Sequence, residues 1–173
     1  MEEQFLLTSK PVIYVANVDE NTVGGNDYTE AVKKGASEEG AGCIVLCAKL
    51  EEDLIALDDE DRAIFMEEYG LTESGLDKLV SASYDLLGLI SYLTAGEKET
   101  RAWTIHVGDT APVAAGVIHS DLQRGFIRAE VMSTDDFLKY GSEAAVKEAG
   151  KFRVEGKNYI VQDGDILNIR FNV

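Results

Sequence analysis

The stretch Lys10–Glu20, KPVIYVANVDE, constrains the chain most. Val12 to Ala16 is an unbroken apolar run that stops at Asn17. A short continuous apolar run ending in polar residues predicts a strand buried on both faces of a parallel sheet. In such sheets ligands sit just beyond the carboxyl ends of the strands, where Asn17 and Glu20 fall. An Asn amide donates and accepts, whereas a carboxylate only accepts. Together they can read the edge of a nucleobase. The same residues also suit an Asx-type turn after a strand, and this stretch alone leaves both readings open.

A second apolar run, Gly42–Glu51 (GCIVLCAKLE), predicts another buried strand with Ala48 and Lys49 at its end. Between the two runs, Asn26 or Asp27 can cap a helix reaching about Glu38, with Ala31, Val32 and Gly35 facing inward. The result is a βαβ unit whose polar tips lie side by side. Cys43 and Cys47 fall in the second predicted strand, four apart and on one face, which disfavours a disulfide between them and suits reduced core cysteines. Two cysteines and two distant histidines supply too few ligands for a metal site.

The pair N-x-x-E (Asn17, Val18, Glu20) and C-A-K (Cys47, Ala48, Lys49) resembles the two base-recognition motifs of a P-loop GTPase, usually N-K-x-D and S-A-K. The N-x-x-E form resembles the YchF/Obg-like ATPase subfamily. The second half resembles that family's TGS domain through TAGEKETRAWTI, GVIHSDLQRGFIRAEVM and KEAGKFRVEGKNYIVQDGDI. The resemblance covers nearly the whole chain. It implies an α/β fold, with the C-terminal part of a P-loop NTPase domain in residues 1–87 and a β-grasp (TGS) domain in 88–173. By the same resemblance, Asn17, Val18, Glu20, Cys47, Ala48 and Lys49 would line a nucleotide base. The complete parent would hydrolyse ATP or GTP with Mg²⁺ and associate with ribosomes. Val18 stands where the pattern has Lys, Glu20 where it has Asp, and Cys47 where it has Ser.

A P-loop enzyme also needs a Gly-rich loop with Lys and Ser/Thr for phosphates and Mg²⁺. Gly24-Gly25 lacks that pair, and no other stretch comes closer. No hydrolysis is expected from this chain alone, and no cofactor is expected to bind it firmly. The chain reads as a fragment, and its shortened sheet predicts uncovered apolar strand faces and self-association. The rival reading is a non-enzymatic TGS module that contacts ribosome, RNA or a regulatory protein.

Charge separates the halves. Residues 1–96 hold 20 acidic and 6 basic residues, and residues 97–173 hold 12 and 10. The first unit would repel nucleic acid; the second would not. Lys147, Lys151, Arg153 and Lys157 surround a predicted hairpin at Glu155-Gly156-Lys157, with Phe152 and Tyr159 among them. Basic residues interleaved with aromatics can hold RNA, although a solvated hairpin with core aromatics looks the same. No apolar run approaches the roughly 20 residues of a membrane span, and no secretory leader is legible; a cytoplasmic protein with no membrane partner is expected. Phe5, Leu6 and Leu7 are expected to pack. A helix is expected over Glu51–Gly70 and another over Leu71–Thr94, capped by Ser74.

Overall fold

The computed structural model describes residues 6–96 and 99–172. The chain divides into two compact units, Met1–Leu87 and Gly88–Val173.

The first unit runs β1 (Ile13–Asn17), α1 (Asp27–Glu38), β2 (Gly42–Leu46), α2 (Ala48–Ile55), α3 (Asp59–Glu68) and α4 (Gly75–Leu87). β1 and β2 pair in parallel, from Ile13 opposite Gly42 to Asn17 opposite Leu46. Asn26 opens α1 with a reciprocal cap. Its side chain accepts from Tyr28 N and Thr29 N, and Thr29 Oγ1 accepts from Asn26 N. The face α1 buries carries Thr29 and Ala36, while Ala31, Val32 and Gly35 stay exposed. β1 is likewise not buried on both faces: Val12, Tyr14 and Val15 are exposed. β2 is its only partner among the described strands, so its other edge is open as well. Leu6 and Leu7 do not pack either; Leu7 is 82% exposed. Phe5 lies outside the described residues. The expected single helix over Glu51–Gly70 is two, α2 and α3, with Asp58 capping α3 through Asp61 N.

α4 ends earlier than helical spacing suggests. Gly88, at φ +62°, takes the left-handed conformation that closes a helix. Leu89 to Thr94, expected to be helical, instead belong to β3. Their apolar residues alternate between the two faces of a sheet, a pattern that a short apolar run does not distinguish from helix.

The second unit runs β3 (Leu89–Ala95), β4 (Thr100–His106), α5 (Ala111–Ile118), α6 (Ser120–Arg124), β5 (Phe126–Ser133), α7 (Thr134–Tyr140), α8 (Glu143–Glu148), β6 (Arg153–Glu155) and β7 (Asp165–Phe171). The sheet order is β4-β3-β7-β5-β6. β3 and β7 are parallel, and the remaining pairs are antiparallel. Alternation along the strands splits the core. Tyr92, Val131 and Leu167 join Ala111, Ala114 and Ala115 of α5 in the main cluster. Met132 and Ile166 face the other way, against Val146, Phe137 and Phe152. Trp103 lies beside the main cluster, its indole N–H donating to Thr94 Oγ1 at 2.9 Å and the Arg101 guanidinium 4.2 Å above its ring. The predicted hairpin at Glu155–Lys157 does not form. β6 pairs with β5, and Ile160 only bridges to Thr110. Among the described residues no helix is long and apolar enough to cross a membrane.

Candidate functional site

Because β1 and β2 end in register, the segments that follow them leave the sheet together. Val18 N donates to Leu46 O at 2.9 Å, carrying the ladder one step past β1. Asn17 Oδ1 then accepts from Ala48 N at 3.0 Å. One acceptor of the amide is thereby used to fix the loop to the first turn of α2, and its two N–H donors are left for a ligand. Lys49 Nζ donates to Glu20 Oε1. This hydrogen bond and the charge behind it hold the Glu20 carboxyl below the usual carboxylate range and raise Lys49. Glu20 is therefore a fixed, ionised acceptor beside a fixed donor.

All six residues singled out by the two motifs meet here, in unequal roles. Asn17, Ala48 and Lys49 are exposed, and Val18 and Glu20 half-buried. Cys47 is buried, and it lies past the end of β2 as the residue before α2, not in the strand with Cys43. The chain leaves the extended ladder at that point to begin a helix, so Cys47 contributes packing and its thiol makes no cap hydrogen bond. The Asx turn after β1 also exists, but Asp19 makes it: its carboxylate accepts from Asn21 N and Thr22 Oγ1 at 3.0 and 2.8 Å. The turn is thus made by Asp19, and the Asn17 side chain is engaged with Ala48 instead.

A pocket of about 330 Å³ adjoins this loop, with Asn17, Val18 and Asp19 on one wall and Asn26 and Tyr28 on another. Tyr28, 83% exposed at the start of α1, gives the pocket an aromatic side that no spacing rule pointed to. Also unforeseen is Glu51, which accepts from Gly75 N at 2.7 Å and Leu76 N at 3.1 Å and so anchors α4 to α2. Gly75 permits this contact: a Cβ there would lie 2.7 Å from Leu46 Cβ. Nothing in the local sequence pairs two residues 24 apart.

The four basic residues singled out in the second unit do not share one element. Lys147, on α8, pairs with Glu143 at 2.5 Å and lies over the Phe152 ring at 4.3 Å. Arg153 at the start of β6 donates to Tyr159 Oη at 3.0 Å and to the buried carboxylate of Asp165 at 3.2 Å. Tyr159 in turn donates to Asp165 at 2.6 Å, and Gln162 N does so at 2.9 Å. Desolvation and the Asp165 carboxylate push the Tyr159 hydroxyl up to about 12. Arg153 is thus a structural partner of a buried acid, with its side chain still 44% exposed. Lys151 and Lys157 are exposed. His119 accepts from Asp121 N at the head of α6, and His106 is exposed. No cluster of three or more His, Cys, Asp or Glu side chains able to hold a metal occurs among the described residues.

Residues 89–172 match the family model YchF-GTPase_C, described as a protein of unknown function (DUF933). The chain is 52% identical over its full length to the ribosome-binding ATPase YchF of Bacillus subtilis and covers 48% of that protein. Against the ribosome-binding ATPase YchF of Escherichia coli O157:H7 it is 53% identical over 96% of its length, covering 46%. The structure of the Schizosaccharomyces pombe YchF GTPase superposes with a TM-score of 0.84 at 37% identity, over 97% of this chain and 45% of that one. The chain therefore spans about half the length of the relatives it matches.

Proposed function

We propose that this chain is part of a YchF-type ribosome-binding ATPase, with the base-recognition end of the nucleotide domain in residues 1–87 and a β-grasp domain of the TGS type in residues 88–173. The observation that carries this is the convergence of the two loops, with Asn17 bonded to Ala48 and Glu20 paired to Lys49. The donor set suits a nucleobase: amide N–H groups from Asn17, an acceptor from Glu20, and the Lys49 stem alongside. A guanine-selective site rests on two fixed hydrogen bonds to one short carboxylate. Glu20 is a methylene longer and tied to Lys49, and Val18 offers no cationic stem, so discrimination against adenine weakens. In the complete protein the nucleotide would be ATP, or GTP, with Mg²⁺ supplying charge neutralisation at the phosphates. This chain's residues hold and orient the base only, because its sequence has no phosphate-cradling loop.

Calorimetric titration of the chain with ATP tests this. Millimolar or no binding, without hydrolysis, is expected, because the phosphates supply most of the affinity. Micromolar binding would overturn the view of a partial site. In the complete protein, Glu20→Ala should weaken ATP binding about tenfold, as for loss of a hydrogen bond to a charged group; unchanged affinity removes Glu20 from the site.

A second reading is favoured by the closed core of residues 88–173. That unit would serve as an interaction module for ribosome or protein partners without nucleotide. Its exposed basic residues include Lys151 and Lys157. Changing both to Glu should reduce co-sedimentation with ribosomes; undiminished co-sedimentation excludes them as the contact.

A further inference from the structure

Helices α2 and α4 of the first unit leave a groove of about 340 Å³ between them, with Leu46, Ile55, Leu76 and Leu79 among its lining residues. Ile55 is 71% and Leu76 51% exposed, although both are aliphatic side chains that burial would stabilise. Glu51 holds the two helices together through the first amides of α4, so the groove is preformed. Glu51 and Glu52 line it as well. The two helices that form it carry five acids, Glu51, Glu52, Asp53, Asp77 and Asp85, and two bases, Lys49 and Lys78. Lys49 is paired to Glu20, and Arg62 donates to Leu54 O.

We propose that this groove docks a short basic amphipathic helix of a partner protein, with two or three aliphatic anchors at helical spacing and lysines or arginines along their flanks. The groove's volume takes a few side chains and not a folded surface, which fits helix-in-groove recognition by anchors one turn apart. The acidic rim selects the flanks and speeds encounter. The same rim argues against the other occupants. An RNA backbone would meet like charge throughout. A second copy docking by a two-fold contact would oppose one acidic rim to its duplicate. The reading does not depend on nucleotide or ribosome binding.

The test uses the full chain and a synthetic helical peptide of 14 residues, with leucines at i, i+3, i+4 and i+7 and lysines elsewhere. Its binding is followed by calorimetry beside two control peptides: one with serines for the leucines, one with glutamates for the lysines. The leucine–lysine peptide should bind at least tenfold tighter than either control and weaken as salt rises. The double variant Ile55→Ser, Leu76→Ser changes exposed positions only and should lower its affinity at least tenfold with the circular dichroism spectrum unchanged. Equal binding of the leucine-free peptide, or no effect of the double variant, overturns the proposal. So does light scattering that finds a dimer of the chain dissociated by the double variant, which makes a second copy the occupant.

Discussion

In residues 88–173 the sheet is five strands wide, one face packed against α5 and α6 and part of the other against α7 and α8. In residues 1–87 two parallel strands carry their helices with an open edge. The units are nearly equal in length, yet of the seventeen apolar residues buried among the described residues only four, Ala36, Cys47, Leu50 and Leu54, belong to the first. Parallel sheets are normally covered on both faces, and two strands alone are marginal. The first unit therefore keeps apolar side chains at its surface, at β1 and along α2 and α4, and it is there that partners or further chain can bind. The second pairs five strands with one another and leaves β4 and β6 as its edges among the described residues.

The largest break in this comparison should come from equal truncations in the two units. Leu167→Ala, in the main core cluster, should cost about 2–5 kcal/mol. Ile55→Ala, at an exposed position, should cost under about 0.5 kcal/mol. Calorimetric unfolding checks both. If the two shifts are alike, the difference in burial does not govern stability.

Next in size is the buried acid of the second unit. Asp165→Ala leaves Tyr159, Gln162 N and Arg153 without their common acceptor and should cost about 1–3 kcal/mol. The same network gives a pH signature. The folded-state pKa of Tyr159 is raised from its ordinary 10.0 to about 12. Stability from the neutral phenol is thus complete below pH 10 and falls as pH rises towards 12. Denaturant midpoints across that window should decline for the wild type and flatten for Tyr159→Phe.

Smaller, and confined to the first unit, is the loss of the α4 anchor. Glu51→Ala should cost about 0.5–2 kcal/mol, as for other helix caps, and should raise amide exchange in the first turn of α4. Unchanged exchange at Gly75 and Leu76 would mean that Ser74 alone suffices as a cap. Smallest is Glu20→Gln, a change at a solvent-facing pair whose attraction water screens. Because the Glu20 pKa is lowered, its contribution exists above the ordinary carboxylate range and disappears on acidification. The wild type and variant should therefore converge at low pH.

What could be read from the sequence follows from the range of the interactions involved. The Asn26 cap, the two parallel strands and the meeting of Asn17 with Ala48 rest on local patterns and on the parallel register. The end of α4 was not legible, because Leu89–Leu93 is apolar enough for either period and only Gly88 marks the change. The partner of β6 was not legible either: Val154 pairs with Glu130, and the nearby turn at Gly156 suggested the wrong neighbour. The tie between Arg153 and Asp165 was not legible, because Asp165 reads locally as a turn residue.

Trp103 is the only tryptophan, and it lies in the second unit. Its emission is an optical label for that unit alone. The first unit contains no tryptophan of its own, so nucleotide or peptide binding near Asn17 or in the α2–α4 groove has no indole probe within the unit that holds it. The tyrosines of the first unit, or a dye attached there, are the reporters such binding requires.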